Sequence, residues 1–139
     1  MEKILVSACL AGKRCRYDGK DNGVPQIQQL HAEGRCVLVC PEELGGLPTP
    51  RTPAEIVGSQ VLTKDGEDVT EAFNAGAAAG LKIAQSENIK EAILKAKSPS
   101  CGCGQIYDGS FSRKLIVGNG QFAAQLLSAR IKVKTELDL

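Results

Sequence analysis

The sequence contains no tryptophan, one methionine, one histidine and only 4% aromatic residues in all, so stacking platforms for single-stranded nucleic acid are scarce. It also lacks an excess of either charge: 17 Lys and Arg stand against 16 Asp and Glu, a formal net charge of +1. Without a broad positive field a long nucleic-acid backbone has little to bind, although a local anion pocket needs no such field. No apolar run approaches the roughly 18 residues of a membrane span. Met1-Glu2-Lys3 runs straight into a short strand-like segment with no signal-peptide core. The expectation is a cytoplasmic protein without a membrane partner. At 139 residues there is no length for a second domain of ordinary size, so residues 1–139 are expected to form one.

What is present is an ordinary globular balance, 42% hydrophobic and 24% charged, together with six cysteines. In a reducing compartment that many thiols point to ligands, nucleophiles or redox groups rather than disulfides.

The periodicity alternates between strands and helices. Lys3 to Ser7 is a short apolar run of the kind a strand covered on both faces shows. A polar, Gly-rich loop follows, then a helix from Pro25 to about His31, Pro suiting a first helical turn, with Gly34 closing it. Cys36 to Val39 reads as a second buried strand with Cys40 at its carboxyl end. Pro41 to Pro53 is too rich in Pro and Gly for a regular element and reads as a shaped loop. Ser59 to Val69 reads as a hairpin around Lys64-Asp65-Gly66, since Asp-Gly is a strong turn signal. Asp68 is placed to cap a long Ala-rich helix from Val69 to about Glu87. Ala92 to Ala96 is a third strand, a Gly-rich loop with Tyr107-Asp108-Gly109 follows, and Asn119 to Arg130 and Ile131 to Thr135 read as a last helix and strand. The expected fold is a three-layer α/β domain, a mostly parallel sheet flanked by helices, with a small hairpin added.

Open parallel sheets bind ligands at the carboxyl ends of their strands, where loops converge. Cys9, Cys40 and Cys101 each come after one of the first three strands, so neighbouring strands would bring the three thiols into one pocket. Cys36, inside a strand, reads as a packing residue; Cys15 and Cys103, in Gly-rich loops, are spare ligands, redox partners or bystanders. Close Cys-x-x-Cys pairs of the sort a structural zinc site uses are missing. A cubane iron–sulfur cluster held by only three cysteines keeps one iron open as a Lewis acid.

The ordered motifs Val6-Ser7-Ala8-Cys9-Leu10, Cys15-Arg16-Tyr17-Asp18-Gly19, Cys40-Pro41-Glu42, Arg51-Thr52-Pro53-Ala54-Glu55-Ile56, Ser98-Pro99-Ser100-Cys101-Gly102 and Ile106-Tyr107-Asp108-Gly109 resemble the family catalogued as domain of unknown function 523, which includes the thiouracil desulfidases. The resemblance spans nearly the whole chain. It implies a cluster of four irons and four sulfides, a 4Fe-4S cluster, on Cys9, Cys40 and Cys101. It also implies removal of sulfur from a thiolated uracil base or thiouridine nucleotide, with release of hydrosulfide. Glu42 and Ser98 match the acid/base positions of the family. Arg51 is a possible phosphate clamp, and Ser100 a second substrate contact.

Taken without the resemblance, the same residues have plainer readings. Glu42 is a charge at the start of a short helical turn, Ser98 and Ser100 shape a turn around Pro99, and Arg51 is a surface cation. At the level of function the alternative is a cysteine-based metal-binding or thiol-redox protein without desulfidase activity.

Overall fold

The computed structural model describes residues 2–139, and the start of the chain at Met1 lies outside the described residues. The apolar runs become strands β1 (Ile4–Ser7) and β2 (Cys36–Val39), separated by helix α1 (Pro25–Ala32). A one-turn helix α2 (Pro41–Leu44), a hairpin β3 (Ala54–Val57) and β4 (Gln60–Thr63), and the long helix α3 (Thr70–Ser86) follow. The chain ends with β5 (Glu91–Leu94), a second hairpin β6 (Gln105–Tyr107) and β7 (Leu115–Val117), helix α4 (Gln121–Ser128) and β8 (Lys132–Thr135).

Four strands form the main sheet in the order β2-β1-β5-β8, all parallel. β1 is central, with Leu5 opposite Val37 on one side and Ala92 on the other, and Val6 opposite Leu38 and Ile93. Because successive side chains of a strand point to opposite faces, β1 feeds two cores. Leu5, Ala92 and Leu94 pack under Ala77 and Ala84 of α3 and Phe122 and Leu126 of α4. Val6 and Ile93 pack on the other face against Ile27 of α1 and Leu10. Each of the Leu, Val, Ile and Phe side chains among them contributes about 2 kcal/mol when fully buried. The expected layered α/β architecture is therefore the observed one. Among the described residues no helix is long and apolar enough to cross a membrane.

Three local expectations change. The segment after Cys40 is not wholly irregular: Pro41 sits at the first helical position and Glu42 and Glu43 occupy the first turn of α2, where fixed φ and negative charge both favour a helical start. The hairpin lies one strand earlier than Ser59–Val69, with Val57 opposite Gln60 across Gly58-Ser59. The Asp65-Gly66 turn does form, Gly66 N–H bonding to Thr63 O at 2.8 Å, but it is followed only by a single bridge between Leu62 and Asp68. Two apolar runs flanked two competing turn signals, and the run Ala54–Val57, hidden behind three prolines, supplied the missing strand. The β6–β7 pair forms within the Gly-rich stretch expected to be a loop. It is held by Glu55, whose Oε1 accepts the N–H groups of Gly109 and Phe111 at 3.0 and 3.1 Å. The repeated Tyr-Asp-Gly is turn chemistry in both copies, Gly19 and Gly109 having φ of +77° and +92°.

α2 is carried by α3 through direct backbone contact. A Cβ on Gly76 would lie 1.8 Å from Pro41 O, and one on Gly45 would lie 2.0 Å from Ala72 O. Replacing Gly76 with Ala therefore has to push α2, and with it Cys40 and Glu42, off α3. Overpacking against rigid backbone costs about 3 kcal/mol, so Gly76→Ala is expected to lower the urea midpoint by a matching amount. Unchanged denaturation would show that the two helices are free to separate.

Candidate active site

The carboxyl ends of β1, β2 and β5 lie side by side, and each following loop carries one of the expected thiols. After β1 the chain turns through a 3-10 segment, Ala8–Ala11, that holds Cys9. Cys40 is the residue preceding the first turn of α2. After β5, Lys97 takes a positive φ of +69° and Ser98 organises the next turn. Ser98 Oγ accepts the N–H of Ser100 and of Cys101, both at 3.0 Å, and Ser98 O accepts the Gly102 N–H at 2.8 Å. Ser98 is thus a turn-shaping residue tied directly to Cys101, and its hydroxyl proton remains free to be donated.

A fourth thiol joins them. Cys15, treated in sequence as a spare, is buried with Cys9 and Cys40 packed in the same cluster. The loop returns because Gly12 and Lys13 bond back to Cys9 O and Ala8 O; the glycine three residues beyond Cys9 was the available signal. All six cysteines are free thiols. Cys36 lies at the amino end of β2, away from the site, as a packing residue should. Cys103 packs against the other core face.

These sulfurs do not behave alike. Cys9 is lowered from the usual thiol range to about 7, first because the Cys15 thiol hydrogen-bonds to it, with further help from Asn22 and the Lys95 ammonium and against the opposing effect of burial. The Asn22 amide donates to Cys9 Sγ at 3.5 Å. Cys40 is also lowered, again chiefly by Cys15. Cys15 is pushed far up, because its proton serves Cys40 and Cys9 and both neighbours repel a third charge. Cys101 is pushed up mainly by burial, opposed by a hydrogen bond from Ser7, while charge on Cys9, Glu42 and Cys40 adds to the rise. Ser7 can donate that bond because its Oγ already accepts the Lys95 N–H at 2.9 Å. The mutual influence of Cys9, Cys40, Cys101 and Glu42 places all four in one field.

Glu42 and Arg51 meet at this edge. Arg51 Nε donates to Glu42 Oε1 at 3.3 Å, and the Arg51 side chain is 7% exposed against 22% for Glu42. The surface-cation reading of Arg51 does not hold: its guanidinium is turned inward onto protein acceptors. A recess of about 270 Å³ opens beside the pair, lined by Glu42, Arg51, Leu47, Thr52, Thr63 and Phe73. Lys95, whose charge acts on Cys9, pairs through Nζ with Glu136 Oε2 at 2.9 Å, and Glu136 Oε1 accepts the Ala96 N–H at 2.7 Å. Neither Lys95 nor Glu136 was singled out in sequence, since nothing in their spacing links residue 136 to a strand end 40 residues earlier.

The donor set suits a polynuclear iron–sulfur group. Soft thiols are what such a cluster takes. Ser100, beside Cys101, is 1% exposed and its Oγ has no protein partner. A group bringing its own sulfide acceptors would satisfy a hydroxyl of that kind.

Comparison with known proteins agrees with this chemistry. The model of a family described as 2-thiouracil desulfurase matches residues 4–138. The chain is 46% identical over 146 residues to the uncharacterized protein YbbK of Bacillus subtilis (strain 168), covering 98% of this chain and 97% of that one. Its fold superposes with a TM-score of 0.95 on a solved 4Fe-4S-dependent thiouracil desulfidase, TudS, of the domain of unknown function 523 group. The two are 46% identical, and the match covers 100% of this chain and 93% of the other.

In cluster-free protein, alkylation of Cys9 by a small electrophile should rise with a pH midpoint near 7, since only the thiolate reacts and its range is lowered to about 7. Cys15 and Cys101 should stay unmodified throughout neutral pH. Peptide mass spectrometry reads both, and a Cys9 midpoint in the ordinary thiol range would remove the hydrogen-bonding scheme.

Proposed function

The chain belongs to the 2-thiouracil desulfurase family, and from that premise we propose that it is an iron–sulfur-dependent desulfidase converting a thiolated uracil base, or a thiouridine nucleotide, to the oxygen compound with release of hydrosulfide. The observation that carries the reading is that three independent crossover loops bring Cys9, Cys40 and Cys101 to one sheet edge beside Glu42 and Ser98. Cys9, Cys40 and Cys101 are the residues that would hold a 4Fe-4S cluster. Bound there, the cluster would supply a sulfur-seeking Lewis acid that weakens the carbon–sulfur bond.

The protein's own groups supply the rest. The reaction adds water across the thiocarbonyl carbon and loses hydrosulfide, so a proton must be taken from water and another group must steady the developing charge. Glu42 serves as the base. Arg51 holds Oε1, and among the described residues no protein donor occupies Oε2, which is left to take the proton. Ser98, its oxygen already accepting two N–H groups, directs its hydroxyl proton outward as a donor to the ring or to the charge that forms. Ser100 is the additional hydroxyl within the site. Arg51, with its guanidinium engaged, takes a different part from the phosphate clamp first considered.

Anaerobic reconstitution followed by assay with 2-thiouracil, 4-thiouracil and their ribonucleotides tests the reading. Hydrosulfide release with stoichiometric oxygen product is expected. Changing Cys9, Cys40 or Cys101 to Ser should abolish iron and sulfide uptake, whereas Cys36→Ser should retain both. Glu42→Gln should keep the cluster and lose on the order of 10²-fold or more in kcat, the usual share of a general base. A fully loaded wild-type protein that releases no hydrosulfide from any of these substrates would overturn the assignment.

A further inference from the structure

We propose that Arg51 is the positioning residue of the site: it fixes the Glu42 carboxylate and ties together the three chain segments that frame it. The proposal rests on the reading of Glu42 as the base. Arg51 Nε donates to Glu42 Oε1 at 3.3 Å. Nη1 donates to Pro48 O at 3.1 Å and to Thr49 Oγ1 at 2.8 Å, and Nη2 donates to Cys15 O at 2.9 Å. Four of the roughly five N–H donors of a guanidinium are thereby used within the protein. The backbone joins in, since Arg51 N–H donates to Tyr17 O at 2.7 Å. The residue is therefore anchored at both ends to the segment that carries Cys15.

The consequences reach each wall of the site. Cys15 O also lies 3.8 Å from Cys40 Sγ, so the carbonyl that Arg51 holds borders the Cys40 sulfur. Thr49, held by Nη1, donates to Glu43, and Glu43 pairs with Lys13 at 3.5 Å. Both carboxylates of the first turn of α2 are thus restrained through one guanidinium. The contact with Glu42 is to a single oxygen. A bidentate fork would occupy both oxygens and remove the base; the one-point contact fixes the carboxylate and leaves the other oxygen available.

This arrangement depends on shape as well as charge. Lysine would keep the cation but present a compact ammonium that cannot span Glu42, Thr49 and Cys15 together. A merely structural brace would affect stability without regard to Glu42, whereas a positioning residue acts through it.

The test uses the full-length chain with Arg51→Met, Arg51→Lys, Glu42→Gln and the Glu42→Gln/Arg51→Met double variant. After reconstitution and assay with 2-thiouracil, Arg51→Met should keep full iron and sulfide content but lose kcat by on the order of 10²-fold, as expected for a misplaced reacting group, with KM little changed. Arg51→Lys should fail to restore kcat, and the double variant should be no slower than Glu42→Gln alone. Full activity in Arg51→Lys, or losses that multiply in the double variant, would overturn the proposal while leaving the desulfidase reading intact. An inactive wild type would instead overturn the desulfidase reading. The clamp is then judged by the Arg51 Nε–H resonance of the cluster-free chain. A slowly exchanging signal shifted by Glu42→Gln supports it, and a signal averaged with free guanidinium refutes it. The same resonance decides the matter if Arg51→Met does not fold.

Discussion

The in-register parallel pairing of β1 with both β2 and β5 is the constraint on which the site depends. Ser7 stands opposite Val39, and Val6 opposite Ile93, so the three strands finish within about one residue of each other. Cys9 and Cys40 follow almost at once, and the Ser98 turn brings Cys101 back to the same edge. Leu5 and Val6 are both fully buried, on opposite faces, so slipping the register by one residue would exchange the two cores. The burial that makes β1 a good central strand thus also fixes where the thiols emerge.

Once gathered, the thiols face an electrostatic problem. Metal ligation requires thiolates, but buried negative charges are costly unless hydrogen-bonded or paired. Cys15 addresses this without adding a charge: as a neutral thiol it donates to neighbours whose ionised forms are favoured for that reason. Ser7 performs a similar service for Cys101. Two uncharged donors, one of them a cysteine, therefore favour anionic sulfur at this edge.

Much of this was legible from residues alone. Short apolar runs announced β1, β2 and β5, and alternation of Lys with apolar or β-branched residues announced the edge strand β8; the thiols at strand ends followed from that assignment. Glu42 is the first-turn charge on α2 that the sequence suggested, and Ser98 is the turn-former, its Oγ accepting two N–H groups. What escaped was set by tertiary approach. Cys15 is brought between Cys9 and Cys40 by a loop that local propensity does not describe. α2 forms against the Gly76 backbone, and Glu136 reaches Lys95 only after β8 has docked. Arg51 was misjudged for a comparable reason: an arginine in a Pro-rich segment looks like a solvent-facing residue until the acceptors around it are known.

The half-buried position of the Arg51–Glu42 pair argues for geometry over stability as its purpose. Removing two charges from water consumes much of what their attraction returns, so a pair in this setting adds little net stability compared with apolar side chains of similar volume. Its additional bonds, to Thr49, Pro48 and Cys15, do not change that balance as much as they narrow the positions the carboxylate can adopt. A solvent-exposed glutamate samples many rotamers, and most of them point the carboxylate away from the thiol edge. Restricting one oxygen while sparing the other converts an otherwise mobile acid at the head of a four-residue helix into a directed acceptor. A residue at the head of a single short turn has few backbone means of achieving this, and the guanidinium supplies what the helix lacks.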